Sequence, residues 1–243
     1  MRRRRTPRPK RNKATETIIQ PIAQFHSPLR SKFGIPRQSG LVEELEGEIV
    51  FEPPFRNPDF IRGLEEFDYI WLIWEFSANR HQTHNAMVRP PLLGGNQRVG
   101  VFATRSPFRP NSLGLSSVRI AKIDWEDNRG PVIKVKGADL MDGTPIFDIK
   151  PYVAYADNHE GARSGFVDQH EWKRLQVIIP EEFHSLFAPK ELSTLEEILS
   201  WDPRPQTQVQ HDKTFGMPFG KYDIRFRVKD DILTIVEIVV SNG

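Results

Sequence analysis

The chain contains no cysteine. Disulfides, thiolate metal centres and cysteine nucleophiles are therefore excluded, and a reducing compartment is compatible with the composition. No Gly-x-Gly occurs anywhere, so the glycine-rich turn of a Rossmann domain is missing and a doubly wound nucleotide-binding sheet is disfavoured. No Gly-x-Ser-x-Gly elbow is present either, which leaves serine-hydrolase chemistry without support. No apolar run approaches the ~18 residues of a membrane span. The longest, Tyr69–Trp74, is broken by Glu75. The basic start is not followed by the apolar core of a signal peptide. Metal binding has one weak lead, His81-x-x-His84, and no Asp or Glu flanks it at ligand spacing. No metal is expected.

What is there fits an ordinary globular protein. The 243 residues are 38% apolar and 27% charged, enough for one large or two small cores. The net charge of +2 conceals a split. Residues 1–13 hold eight of the 34 basic residues and no acid, so the rest carries 26 basic against 32 acidic groups, a balance of −6. A segment of that composition cannot bury apolar surface, and it is expected to be disordered when free. It can bind RNA phosphates through counterion release, or serve only as a solubilising extension or localisation signal.

Short apolar runs punctuated by turn signals predict a mostly β protein. Strands are expected from Thr17 to Phe25, and at Gly47–Phe51, Tyr69–Phe76, Val99–Thr104, Leu115–Ile123, Val132–Lys136 and Ile146–Ile149. Tyr69–Phe76 is apolar on both faces, as a central strand would be, and its Trp71, Trp74 and Phe76 read as core. Asn57-Pro58-Asp59 reads as a helix start, with Phe60, Leu64 and Phe67 on one face. Gly94-Gly95 reads as a tight turn. Many short strands favour a β-barrel-like domain over an alternating α/β sheet.

Beyond Tyr155 the character changes. Asn158–Gly165 reads as a linker, Leu175–Ile179 as a strand and Glu181–Phe187 as a short helix. Ser193-Thr194-Leu195-Glu196 has the pattern of a capping box for a helix that Trp201–Pro205 ends. Ile224, Phe226 and Val228 alternate with Arg225 and Arg227, giving one buried and one basic strand face. The basic face is either solvated or a second RNA contact. The expected layout is a basic arm at 1–15, a barrel domain at 16–157, and a linker with a small C-terminal α+β domain at 158–243.

The segment Arg98–Pro110, RVGVFATRSPFRP, is the most informative. An apolar run delivers the chain into a loop with two prolines, Arg105, Arg109 and several short hydrogen-bonding side chains. A stiff cationic loop suits a carboxylate or phosphate, which guanidinium pairs bidentately. Asp142-Gly143-Thr144-Pro145 is a turn whose backbone can approach a ligand closely.

FGIPRQSGL (Phe33–Leu41), VRPPLLGGN (Val88–Asn96), VGVFATRSPFRPNSLGLS (Val99–Ser116) and DGTPIFDIKPYV (Asp142–Val153) resemble, in order and spacing, the signature blocks of the TsaA/TrmO family. The resemblance is strong from Gln20 to Val153. It is weaker at Asp202–Pro205 and Asp223–Val228. It implies a small β-barrel-like, S-adenosylmethionine-binding domain unlike a Rossmann methyltransferase. The implied activity is methylation of N6 of threonylcarbamoyl-adenosine beside the anticodon of tRNA, by a cytoplasmic homodimer with no membrane association. Another RNA or a small molecule as substrate, or a non-catalytic RNA-binding barrel, are the alternatives.

Carried onto matched positions, the family's cofactor contacts fall at Pro36, Arg37, Gln38, Arg105, Leu115, Asp142, Gly143, Thr144 and Pro145. Where relatives have His-Gln after the long apolar strand, this chain has Ser77-Ala78, with His81-Gln82 four residues later; either pair could take that contact. Arg109, Asn111, Arg225 and Arg227 are candidate RNA contacts. Arg37, Arg105 or Arg109 could also grip a substrate carboxylate. The nitrogen to be methylated is conjugated to a carbonyl and gains from proton removal. Asp142, Asp148, Tyr152 and Glu75 are the candidate groups, none of them assigned as the base.

Overall fold

The computed structural model describes residues 17–79, 85–95, 97–170, 172–204 and 213–241. The basic arm at 1–13 and the segment carrying His81, Gln82 and His84 lie outside those residues.

Among the described residues twelve strands follow one another: β1 (Ala23–His26), β2 (Glu46–Phe51), β3 (Tyr69–Glu75), β4 (Met87–Val88), β5 (Val99–Gly100), β6 (Leu113–Asp124), β7 (Val132–Lys136), β8 (Thr144–Pro151), β9 (Gln176–Ile178), β10 (Phe215–Phe219), β11 (Tyr222–Lys229) and β12 (Ile232–Val240). Six of them close a barrel in the order β1-β2-β7-β6-β3-β8, every neighbouring pair antiparallel. Closure leaves these six strands without an exposed sheet edge. The barrel core holds Phe25, Ile49, Ile70, Leu72, Trp74, Val118, Ile133, Val135 and Ile146, alternate residues of their strands. On β3 the inner positions are Ile70, Leu72 and Trp74. The outer positions Trp71 and Ile73 are apolar too, because they wall a surface cleft.

Three short segments differ from their expected form. The run Val99–Ala103 is a two-residue strand paired with β4, followed by a 3₁₀ turn over Val101–Ala103. Phe102 is 76% exposed there, so only part of the run's apolarity serves a core. Asn57 does cap as expected, its side chain accepting from the Asp59 N–H. The turn it starts ends at Ile61, and Gly63, with φ of +86°, separates it from a second 3₁₀ turn over Leu64–Glu66. A left-handed residue cannot continue an α-helix, so Phe60 and Phe67 stay at the surface. At the start of the described chain, Ile18 and Ile19 are exposed and the strand begins only at Ala23.

The second core belongs to a four-stranded sheet, β10-β11-β12-β9, with β9 parallel to β12. Helix α1 (Pro189–Ser200) covers it through Leu195, Ile198 and Leu199. This helix starts at Pro189, ahead of the expected capping box at Ser193. The Glu191 carboxylate accepts from the Ala188 N–H at 2.9 Å, and Thr194 lies inside the helix, bonded back to the Lys190 carbonyl. On β11, Ile224, Phe226 and Val228 are buried while Arg225 and Arg227 face outward.

The loop between β1 and β2 belongs to both cores. Its Leu29, Val42 and Leu45 are buried among the side chains of the C-terminal sheet, each burial worth about 1.5–3 kcal/mol against exposure. Backbone and indole hydrogen bonds reinforce the join: Gly220 N–H to the Pro28 carbonyl at 2.8 Å, and Trp201 Nε1 to the Leu41 carbonyl at 3.1 Å. Residues 33–41, one of the signature blocks, are thus clamped between barrel and C-terminal sheet.

Candidate active site

A cleft of about 530 Å³ opens where that clamped loop meets the outer face of β3 and β6 and the loop after β5. Such a volume lies in the range of small-molecule sites. Its lining combines apolar and aromatic side chains, Trp71, Ile73, Trp74, Phe76 and Leu115, with three cationic ones, Arg37, Arg105 and Arg109.

Local sequence explains the geometry. Trp74 turns into the barrel over Gly114 of β6, where a Cβ would come within 2.3 Å of the indole. Next to it, the register of β3 against β8 shifts between Ile73 and Trp74, a bulge that re-aims side chains beside the cleft. After β5 the loop is braced by its own short side chains. Thr104 Oγ donates to the Val101 carbonyl at 2.8 Å and accepts from the Ser106 N–H at 3.2 Å. Ser106 Oγ accepts from Phe108 N–H at 3.3 Å. Arg109 donates to the Thr104 carbonyl at 2.9 Å. Arg105 is exposed and donates to the Gln38 side-chain oxygen, joining the two loops across the cleft.

Arg37 is held more tightly. Its guanidinium lies over the Trp172 ring and donates to the Asp202 carbonyl at 3.3 Å. Burial lowers its pKa from the usual arginine value, while Asp202 opposes that shift.

Among the described residues one acidic side chain lines the cleft, Asp139. Ser116 Oγ donates to Asp139 Oδ1 at 2.6 Å, and the Trp74 indole N–H donates to that same hydroxyl at 3.0 Å. Burial pushes the Asp139 carboxyl above the ordinary aspartate range, against the opposing pull of the Ser116 hydrogen bond and the Arg105 charge. Sequence reasoning misses Asp139, because no motif or periodicity marks Gly137-Ala138-Asp139.

The cleft therefore gathers Pro36, Arg37, Gln38, Arg105, Arg109 and Leu115. Ser77 and Ala78 begin the 3₁₀ turn just after Phe76, next to the cleft but not among its lining residues. The Asp142–Pro145 turn also lies outside that lining. It is tied to β1 and the start of the clamped loop: Asp142 Oδ1 accepts from Ser27 N–H at 3.1 Å and pairs with His26 Nδ1 at 3.3 Å, and Gly143 N–H donates to the Phe25 carbonyl. Asp148 accepts from the N–H of its neighbour Ile149. Tyr152 packs against the rings of Tyr69 and Trp71. Neither these two nor Glu75 lines the cleft.

Asn111 is exposed. Arg225 is ion-paired with Glu237 at 2.7 Å and with Asp223, and Arg227 bonds Thr214 Oγ. Among the described residues no cluster of three or more His, Asp or Glu could hold a metal. No helix among them is long and apolar enough to cross a membrane.

Comparison with known proteins decides the family. The tRNA-methyltransferase O N-terminal domain matches residues 24–158, and the TrmO C-terminal domain matches 173–241. The chain belongs to the TrmO family. It is 35% identical over 225 residues to the tRNA (adenine(37)-N6)-methyltransferase of Escherichia coli, covering 87% of this chain and 93% of that protein. A probable S-adenosyl-L-methionine-binding protein of Pyrococcus abyssi is 34% identical over 69% of this chain and 85% of its own length. The crystal structure of TrmO from Pseudomonas aeruginosa superposes with a TM-score of 0.73 at 28% identity, covering 93% of this chain and 99% of that one. The family matches span both the barrel and the C-terminal sheet.

Proposed function

We propose that this TrmO-family chain transfers a methyl group from S-adenosylmethionine to N6 of an adenine in tRNA, with threonylcarbamoyl-adenosine beside the anticodon as substrate. The observation that carries this reading is the cleft, which gathers three arginines with indole, phenyl and aliphatic side chains within a TrmO fold.

The residues present fit the cofactor. An adenine ring suits the wall of Trp71, Trp74 and Phe76, and a carboxylate suits Arg105 or Arg37. Pro36, Arg37, Gln38, Arg105 and Leu115 would hold it, with the Asp142–Pro145 turn and Ser77–Ala78 completing the contacts that the family resemblance implies. The cofactor supplies an electrophilic methyl group. This chain contributes binding, orientation and water exclusion: the braced Arg105 loop and the clamped Arg37 loop fix the cleft before any ligand arrives, which lowers the entropic cost of alignment. The threonyl carboxylate of the substrate base gives Arg105 or Arg109 a charge to grip, a handle that plain adenosine lacks.

A homodimer belongs to this reading. Leu115 on β6, Phe102 in the 3₁₀ turn after β5 and Met87 on β4 are 57%, 76% and 51% exposed, apolar positions that a second copy would cover. With tRNA as substrate, the cytoplasm is the expected compartment.

Calorimetry with S-adenosylmethionine on EDTA-treated protein tests the cofactor assignment. Saturable binding without metal, at low-millimolar affinity or tighter, is expected. No heat and no thermal shift at high cofactor concentration would overturn it.

A further inference from the structure

We propose that Asp139 is the catalytic residue that accepts the N6 proton during methyl transfer. This rests on the methyltransferase reading above and deepens it by assigning a base.

Asp139 is the acidic side chain among the cleft-lining residues, and it comes with a fixed donor. Ser116 is only 2% exposed, and both roles of its hydroxyl are set by neighbours. Its oxygen accepts from the Trp74 indole at 3.0 Å, so its proton is directed at Asp139 Oδ1, 2.6 Å away. Trp74 in turn is fixed by the close approach to Gly114. The relay Trp74–Ser116–Asp139, with the backbone N–H groups of Asp139 itself and Ser39, thus fixes the orientation of the carboxylate at the cleft.

Charged and titratable groups approach it from three elements. Arg105 acts on it from the loop after β5. Arg37 and Arg109 line the same cleft, Ser116 faces it from β6, and the Ser39 backbone N–H reaches it from the clamped loop. Burial outweighs these attractions and raises the carboxyl's pKa, making it a stronger base than a solvated aspartate while Arg105 keeps its anion compensated.

The competing carboxylates lie outside the cleft lining and have structural partners of their own. Asp142 caps Ser27 and pairs with His26, and Asp148 caps its own neighbour. In the step itself, the N6–H proton passes to Asp139, and the electron pair left on N6 forms the new N–C bond. The pair of the breaking C–S bond stays on sulfur. Threonylcarbamoyl conjugation acidifies that N–H, so a carboxylate of raised basicity suffices.

Two variants and two readouts test this. Asp139→Asn keeps shape and the Ser116 contact but cannot take a proton. It should bind S-adenosylmethionine as the parent does and lower kcat at least ~100-fold, the usual contribution of a positioned base. Carboxylate NMR on the ligand-free protein should show one aspartate titrating above the ordinary range. That signal should vanish in Asp139→Asn and move further up in Ser116→Ala, with the acidic limb of the kcat profile moving alongside it. An Asp139→Asn enzyme that keeps its turnover, or a Ser116→Ala enzyme whose acidic limb stays in place, would overturn the assignment. A parent protein that methylates nothing would instead remove the methyltransferase reading, which keeps the two failures distinct.

Discussion

The Arg37 guanidinium carbon lies 3.8 Å from the centroid of the Trp172 ring, so a residue beyond the barrel positions a side chain in the cleft. A cation–π contact is worth about 0.5–1 kcal/mol at an exposed site and about 2 kcal/mol when desolvated. Trp172→Ala should therefore weaken S-adenosylmethionine binding about 2- to 30-fold while leaving the barrel folded. Calorimetry beside a thermal melt checks both halves.

Arg105 offers the complementary case. It is exposed and reaches the Gln38 side chain across the cleft, so the core does not depend on it. Arg105→Ala should remove a charge-assisted interaction of about 1.5–3 kcal/mol and cut kcat/KM by roughly ten- to a hundredfold. The melting temperature should stay close to that of the parent. Kinetics and calorimetry on one preparation would separate the two effects.

The eight cations at 1–13 stand against a remainder with a balance of −6. Deleting residues 1–13 should weaken tRNA binding and flatten its salt dependence, by about 0.7–0.9 in the log–log slope for each phosphate no longer neutralised. Free-cofactor affinity should not change. Filter binding across a salt series gives the slope, and an unchanged slope would mark the arm as a passive extension.

Acid should act on stability through two opposite groups. Arg129 hydrogen bonds hold the Asp127 carboxyl well below the usual range, so its stabilisation is present above the unfolded value of about 3.9 and disappears as pH falls below it. Asp127→Asn should flatten the decline in stability between roughly pH 5 and pH 2. Asp139 runs the other way: its raised pKa means that ionisation opposes folding as pH rises through the unfolded value towards that pKa, so Asp139→Asn should melt at or above the parent temperature near neutrality. Denaturation followed across pH reads both slopes.

Much of the fold is legible in the sequence, for identifiable reasons. Val132–Lys136 reads as a strand and occurs as one, and Tyr69–Phe76, apolar on both faces, occurs as the strand Tyr69–Glu75. Val99–Ala103 misleads because apolarity there serves an exposed hairpin as well as a core. The Phe60–Phe67 helix fails at Gly63, and the Ser193 capping box fails because Glu191 already caps Ala188. Arg37, Gln38, Arg105 and Leu115 do line one cleft. Asp139 is invisible locally: its character comes from Ser116 and Trp74, distant in sequence and joined only by the barrel. Leu29, Val42 and Leu45 pack with the far C-terminal sheet, a pairing that no local pattern encodes.

The central claim is methyl transfer to a threonylcarbamoyl-bearing adenine in tRNA. One tRNA, prepared with and without the threonylcarbamoyl group and incubated with enzyme and labelled S-adenosylmethionine, tests it directly, with nucleoside mass spectrometry as the readout. The label should enter N6 of the modified nucleoside only, because only the threonylcarbamoyl group brings a carboxylate for a cleft arginine to grip. Equal incorporation into both tRNAs would contradict the substrate assignment, and incorporation into neither would contradict the activity.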